Sequence, residues 1–205
     1  MRDVSNFSKF DDRSLFALLD YSNGEQSVPD YRPYRVAGGA HFFTVNLLER
    51  NPNDLLVRPI EILHCVVRQV RAKRPFYIDA WVVLPDHLHG VWTLSPGDDD
   101  FTSRWRLIKQ GFSQALPKTE RRSPVRITRG ERGIWQRRFW EQAIREEADY
   151  AAHVDYCHIN PCKHGYVKRV ADWPYSTFPR HVERGIYPLD WTGGPETDWE
   201  TGERV

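Results

Sequence analysis

Pro75-Phe-Tyr-Ile-Asp-Ala-Trp-Val-Val-Leu84 runs through Pro85-Asp86 into His87-Leu-His-Gly-Val-Trp-Thr-Leu94. Both flanks are rich in aromatic and β-branched residues, which read as strands, and the Pro-Asp step between them reads as a turn. The stretch is therefore a hairpin. Along its second strand, residues two apart face the same side, about 7 Å from one another. His87 and His89 share one face, and Leu88 points to the other, where a buried hydrophobe belongs. Two imidazoles on one rail can converge on a divalent metal, although the spacing alone equally suits two exposed or core-satisfied histidines.

Outward from the hairpin, Ala40-His-Phe-Phe-Thr-Val-Asn-Leu-Leu48 reads as an earlier strand. From Val57 to Arg74, Ile60, Leu63, Val67 and Val70 recur at three and four, which predicts a helix with Pro59 near its start. Phe101 to Leu116 repeats the pattern with Trp105, Ile108, Phe112 and Ala115. Pro117 to Gly133 reads as a mobile basic connector. Ile134 to Gln142 is short and aromatic, a candidate fourth strand. Arg145 to Ile159 predicts a helix with Glu146 and Glu147 in its first turn, where acids suit the helix dipole, and Asn160-Pro161 as its stop. The order β-α-β-β-α-β-α predicts an α+β fold, a ferredoxin-like antiparallel sheet with helices packed on one face. It divides as a polar N-terminal arm over 1–36, a domain over 37–180 and an acidic C-terminal tail over 181–205.

Composition narrows the function. The chain has 205 residues, 28% charged and 40% hydrophobic, with eight tryptophans, an ordinary globular balance with one core. No run approaches the roughly 18 apolar residues of a membrane span. Met1 to Asp20 mixes charges throughout and reads as no secretion signal. Three cysteines, an odd count, suit a reducing cytoplasmic setting. The net charge is only +1, but Arg104 to Arg138 carries eleven basic residues against Glu120 and Glu131. Asp190, Glu196, Asp198, Glu200 and Glu203 face only Arg204 at the other end. Such a distribution fits a polyanion bound locally, or an Arg-rich solvated loop. A tail of that sign could fold back over the basic segment and compete with a nucleic acid.

Tyr156 and Asn160, four apart, share a helix face. A neutral amide oxygen suits a hard cation, and a tyrosine oxygen beside a metal-bound phosphate can attack phosphorus; a ring packed for its own sake is the plainer alternative. Tyr150 is a rival nucleophile, but at six residues' separation it points to a different face. His153, Cys157, Cys162 and His164 allow a zinc-stabilised module as a further alternative. No phosphate-binding glycine loop, His-Glu-x-x-His or Gly-x-Ser-x-Gly occurs.

Four blocks in order, Trp81-Val-Val-Leu-Pro-Asp-His-Leu-His-Gly-Val-Trp92, Trp135-Gln-Arg-Arg-Phe-Trp140, Tyr156-Cys-His-Ile-Asn-Pro-Cys-Lys-His-Gly-Tyr-Val167 and Trp173-Pro-Tyr-Ser-Thr-Phe178, resemble the REP-associated tyrosine transposases, single-tyrosine enzymes with a His-hydrophobic-His motif. The match runs from about Tyr34 to Trp191. Cys157 and Cys162 stand where that family more often has apolar residues, and Asp86 where Asn is common. The resemblance implies His87, His89 and Asn160 as ligands of Mg²⁺ or Mn²⁺ and Tyr156 as the nucleophile. It also implies cleavage of single-stranded DNA to a 5′-phosphotyrosine, beside a palindromic hairpin. The basic segment would then track the DNA through Lys109, Arg121, Arg122, Arg137 and Arg138, with Trp135 or Phe139 stacking a base. Either a monomer or a homodimer is compatible. The same scaffold without catalysis, binding a hairpin or single strand, is the alternative function.

Overall fold

The computed structural model describes residues 37–50, 53–120, 122–194 and 201. The expected N-terminal arm, Arg121 and most of the tail's end lie outside the described residues. The elements are β1 (Ala40–Asn46), α1 (Ile60–Lys73), β2 (Phe76–Val83), β3 (His87–Leu94), α2 (Phe101–Ala115), α3 (Pro124–Thr128), β4 (Trp140–Ala143), α4 (Glu147–Lys163), a 3-10 turn (Val170–Asp172) and α5 (Phe178–Glu183).

The sheet order is β2-β3-β1-β4, with every neighbouring pair antiparallel. This is the ferredoxin-like arrangement. Strand alternation divides the core in two. Phe43, Val45, Trp81, Leu88 and Trp92 point to the face covered by α1 and α2, which contribute Leu63, Val67, Trp105, Ile108 and Phe112. Phe42, Ala80, Val82 and Val91 point to the opposite face, against Val154, Tyr156 and Cys157 of α4. Helices on one face thus describes α1 and α2, whereas α4 covers the other side. The histidine-bearing face of β3 is the α4 face, so the topology itself stacks the tyrosine helix on the histidine strand.

On the α1/α2 side, Trp92 stacks on Trp105 with ring centroids 4.2 Å apart, and Trp81 stacks on Trp105 at 5.8 Å. Gly90 makes room for this stack: a Cβ there would lie 2.8 Å from Trp81 Cε3. Helix α2 starts at Asp100, whose carboxylate accepts from the Ser103 N–H at 3.0 Å, satisfying one of the first turn's unbonded donors.

Three elements differ from the sequence expectation. Helix α4 continues through Pro161 to Lys163. A proline this close to the C-terminus removes one N–H, and the turn still closes because His164 N–H reaches Asn160 O at 3.0 Å. The fourth strand is displaced to Trp140–Ala143, while Trp135 forms only a single bridge with Leu47. Between these, the backbone leaves the sheet and carries Arg137 and Arg138 outward. The basic connector contains α3 and is tied down by Arg132. Its guanidinium donates to Glu120 Oε1 and Oε2, both at 2.6 Å, and to the carbonyls of Ser113, Leu116 and Pro117. At the C-terminal end, packing continues past residue 180: Tyr187 and Trp191 close over His158 and Phe178.

Candidate active site

His87 and His89 are fully buried on the α4 face of β3, ring centroids 5.0 Å apart and nearly perpendicular. Each ring is held at its Nδ1. His87 Nδ1 lies 2.7 Å from Asp86 Oδ1, and Arg50 Nε donates to Asp86 Oδ2 at 2.6 Å. His89 Nδ1 lies 2.9 Å from Thr44 Oγ1, its cross-strand neighbour in the β1–β3 ladder. The Thr44 hydroxyl spends its one hydrogen on the Thr201 carbonyl. Its oxygen therefore accepts from His89 Nδ1–H, which leaves the Nε2 lone pair for another partner. Burial tends to raise the Asp86 carboxyl, but the hydrogen bonds from His87 and Arg50, with the Arg50 charge, outweigh it and hold the group below its ordinary value.

The last turns of α4 lie over this pair. Tyr156, Asn160 and His164 form one stripe at spacing four. Tyr156 packs its ring edge-on against His89 at 5.3 Å between centroids, and His164 meets His87 at 5.1 Å. Asn160, fully buried, occupies the turn between them. Phe42 backs Tyr156 at 5.9 Å, and Lys163 Nζ sits 4.7 Å from its ring centroid. The hairpin and the distant helix that sequence spacing singled out are thus brought together.

The donor set suits a divalent cation. His87 Nε2 is buried with no hydrogen-bond partner among the described residues, an arrangement that costs free energy unless something accepts the lone pair. Two imidazoles and an amide oxygen are donors that a divalent cation would accept. Sequence reasoning missed Asn46, which pairs directly with His87 across the β1–β3 ladder and keeps a buried Oδ1 without a hydrogen-bond partner among the described residues. Strand parity could have placed Asn46 on the face of Thr44, but not opposite His87, because register is a tertiary property.

The rival groups lie elsewhere. The Tyr150 hydroxyl bonds Asp79, and burial with that carboxylate pushes its pKa well up. His153 Nδ1 bonds Asp149 O at 2.7 Å and Cys157 is a buried apolar filler. No cluster of three or more His, Cys, Asp or Glu residues with metal-binding geometry occurs among the described residues, so His153, Cys157, Cys162 and His164 do not assemble.

The expected DNA contacts divide. Lys109 Nζ donates to Gln136 O at 2.5 Å and Arg137 O at 3.2 Å, and burial lowers its pKa to about 8. It pins the segment before β4 to α2. Trp135 Nε1 donates to Lys109 O at 3.1 Å and its ring packs on Phe112; Phe139 packs on Phe43. These three groups serve the fold. Arg137 and Arg138 are exposed, the former paired with Glu131 at 2.6 Å, and Arg122 is partly exposed beside Glu120. Arg104, counted in the basic run, is buried, donating to Asp98 and to the carbonyls of Arg74, Pro75 and Asp100.

No family model matches the chain. Individual relatives do. The REP-associated tyrosine transposase of Escherichia coli (strain K12) is 51% identical over 178 residues, 87% of this chain and 99% of that protein. A Haemophilus influenzae relative carrying the same family name is 42% identical over 170 residues, 82% of this chain and 96% of its own. A solved REP-associated tyrosine transposase bound to a REP hairpin superposes with a TM-score of 0.73 at 50% identity, covering 87% of this chain and 99% of that one. Likeness of this extent, over nearly the full length of its relatives, places the chain among the REP-associated tyrosine transposases.

Proposed function

We propose that this protein cleaves and rejoins one strand of DNA beside a folded hairpin, with Tyr156 as nucleophile and Mg²⁺ or Mn²⁺ held by His87, His89 and Asn160. The observation that carries this reading is the contact between Tyr156 and His89, ring centroids 5.3 Å apart, because a phenol and a metal-binding pair must reach the same phosphate. The REP hairpin bound by the solved relative supports a folded DNA hairpin as the substrate. A cytoplasmic setting, where DNA resides, fits free cysteines and the lack, among the described residues, of a helix long and apolar enough to cross a membrane.

When bound, the cation would neutralise phosphate charge and ease the build-up of charge in the transition state. Tyr156 Oη attacks phosphorus as its proton passes to solvent. The new O–P bond forms while the P–O3′ bond breaks, and O3′ takes up a proton to leave as a 3′-hydroxyl. The resulting 5′-phosphotyrosine is still a phosphodiester, so a 3′-hydroxyl can attack it and restore both DNA and tyrosine without an external energy source. Phe42 and His89 hold the Tyr156 ring against rotation, which lowers the entropic cost of in-line attack. Lys163, on the exposed rim above that ring, supplies positive charge where the phosphate approaches.

The test is a hairpin oligonucleotide with a single-stranded flank, incubated with protein and either metal, then run on a denaturing gel. A covalent DNA–protein band is expected. Tyr156→Phe abolishes it and leaves hairpin binding intact, while Tyr150→Phe retains it. Loss of the band in Tyr150→Phe alone overturns the nucleophile. Binding without a band under either metal makes the protein a non-catalytic hairpin-binding relative.

A further inference from the structure

We propose that Asp86, clamped by Arg50, is a positioning residue that sets the tautomer and orientation of His87 for cation binding; this rests on the metal reading above. A metal-binding imidazole must present an unprotonated nitrogen, and the group bonded to its other nitrogen decides which one that is. At His87 two groups reach Nδ1: Asp86 Oδ1 at 2.7 Å and Arg50 NH2 at 3.2 Å. They demand opposite tautomers. A carboxylate can only accept and a guanidinium can only donate. The shorter contact decides, because a bare Nδ1 lone pair held 2.7 Å from a carboxylate oxygen would be repulsive. The proton therefore sits on Nδ1, and the buried Nε2, which has no hydrogen-bond partner among the described residues, carries the lone pair toward the site.

Arg50 makes this arrangement rigid. Its Nε bonds the other carboxylate oxygen of Asp86 at 2.6 Å, so the carboxylate cannot swing away from the imidazole. The backbone beneath is equally fixed: Leu47 N–H donates to Asp86 O and Leu84 N–H to His87 O, both at 2.8 Å. The pair also has an electrostatic role. His87, His89 and Asn160 would all be neutral ligands, so the Asp86 carboxylate, hydrogen-bonded to the far nitrogen of His87, would add negative charge behind that ligand and raise its donor strength. At His89 the group on Nδ1 is the Thr44 hydroxyl, a weaker acceptor than a carboxylate.

The experiment measures Mn²⁺ binding to the full chain by calorimetry or by the Mn²⁺ electron paramagnetic resonance signal, without DNA. Long-range ¹H–¹⁵N spectra of the metal-free protein read the His87 tautomer. Asp86→Ala should weaken Mn²⁺ binding about 10- to 100-fold and mix the His87 tautomers. Asp86→Asn, whose amide oxygen still accepts from Nδ1–H, should keep the tautomer and lose less affinity than the alanine variant. Arg50→Gln, which leaves Asp86 in place but unclamped, should weaken binding severalfold and carries the test should Asp86→Ala not fold. Wild-type affinity in folded Asp86→Ala, or in Arg50→Gln where the former does not fold, overturns the proposal. His87→Ala separates the two levels: retention of Mn²⁺ binding there overturns the metal site itself, whereas its loss beside a wild-type Asp86→Ala overturns only the positioning role.

Discussion

Replacing Arg137 and Arg138 together by Gln should weaken hairpin binding in a way that salt reveals. Both side chains are exposed on the bulge between Trp135 and β4, and neither is used to hold the core. If each neutralises one phosphate, the slope of log affinity against log salt should become shallower by about 0.7 per contact on single strand or about 0.9 on duplex, hence by about 1.4 to 1.8 for the pair. From about 50 to about 200 mM salt, a fourfold change, the gap between wild type and variant should shrink by about 7- to 12-fold. Fluorescence anisotropy with a labelled hairpin, in the Tyr156→Phe background so that no cleavage intervenes, measures this. Lys109→Met is the control. Its ammonium bonds two backbone carbonyls, so its loss should cost about 1.5–3 kcal/mol of stability in urea unfolding and leave the salt slope alone. An unchanged slope in the double variant, with a slope shallower by about one unit in Lys109→Met, would refute this division of basic residues into DNA-facing and fold-holding groups.

Two further outcomes are expected. Burial and the neighbouring Arg180 hold His181 at about 4 in the fold against an ordinary 6.5, so the unfolded chain takes up the proton first. Stability should therefore fall as pH drops from 6.5 toward 4, by about 2 kcal/mol at pH 5. His158, buried against the same ring and also lowered, pulls in the same direction; urea midpoints that stay constant from pH 7.5 to 5 would contradict this. Ending the chain at Gly194 removes four acids and the Thr201 carbonyl that accepts from Thr44. Hairpin affinity should rise at low salt and rise less at about 0.2 M, where exposed charges are screened; equal affinities of the two chains would dispose of competition by the tail.

What could be read in advance and what could not follow one physical line. His87 and His89, and likewise Tyr156 and Asn160, were legible because each pair lies within one element, where backbone geometry alone sets which side chains share a face. Thr44, Asn46 and Arg50 contribute to the same site but sit on or just beyond another strand, and their partners are decided by β1–β3 register, which no local period encodes. The basic run shows the same limit through its chemistry. A guanidinium is a fork of N–H donors, and that fork fits clustered carbonyls and carboxylates as well as it fits a phosphate. Arg104 and Arg132 satisfy their forks inside the chain, so a count of basic residues overstates the charge offered to DNA. The discriminating quantity is how many donors remain unspent after folding, and on that measure the outward bulge carrying Arg137 and Arg138 beside the Trp135 bridge is where the strand should be held.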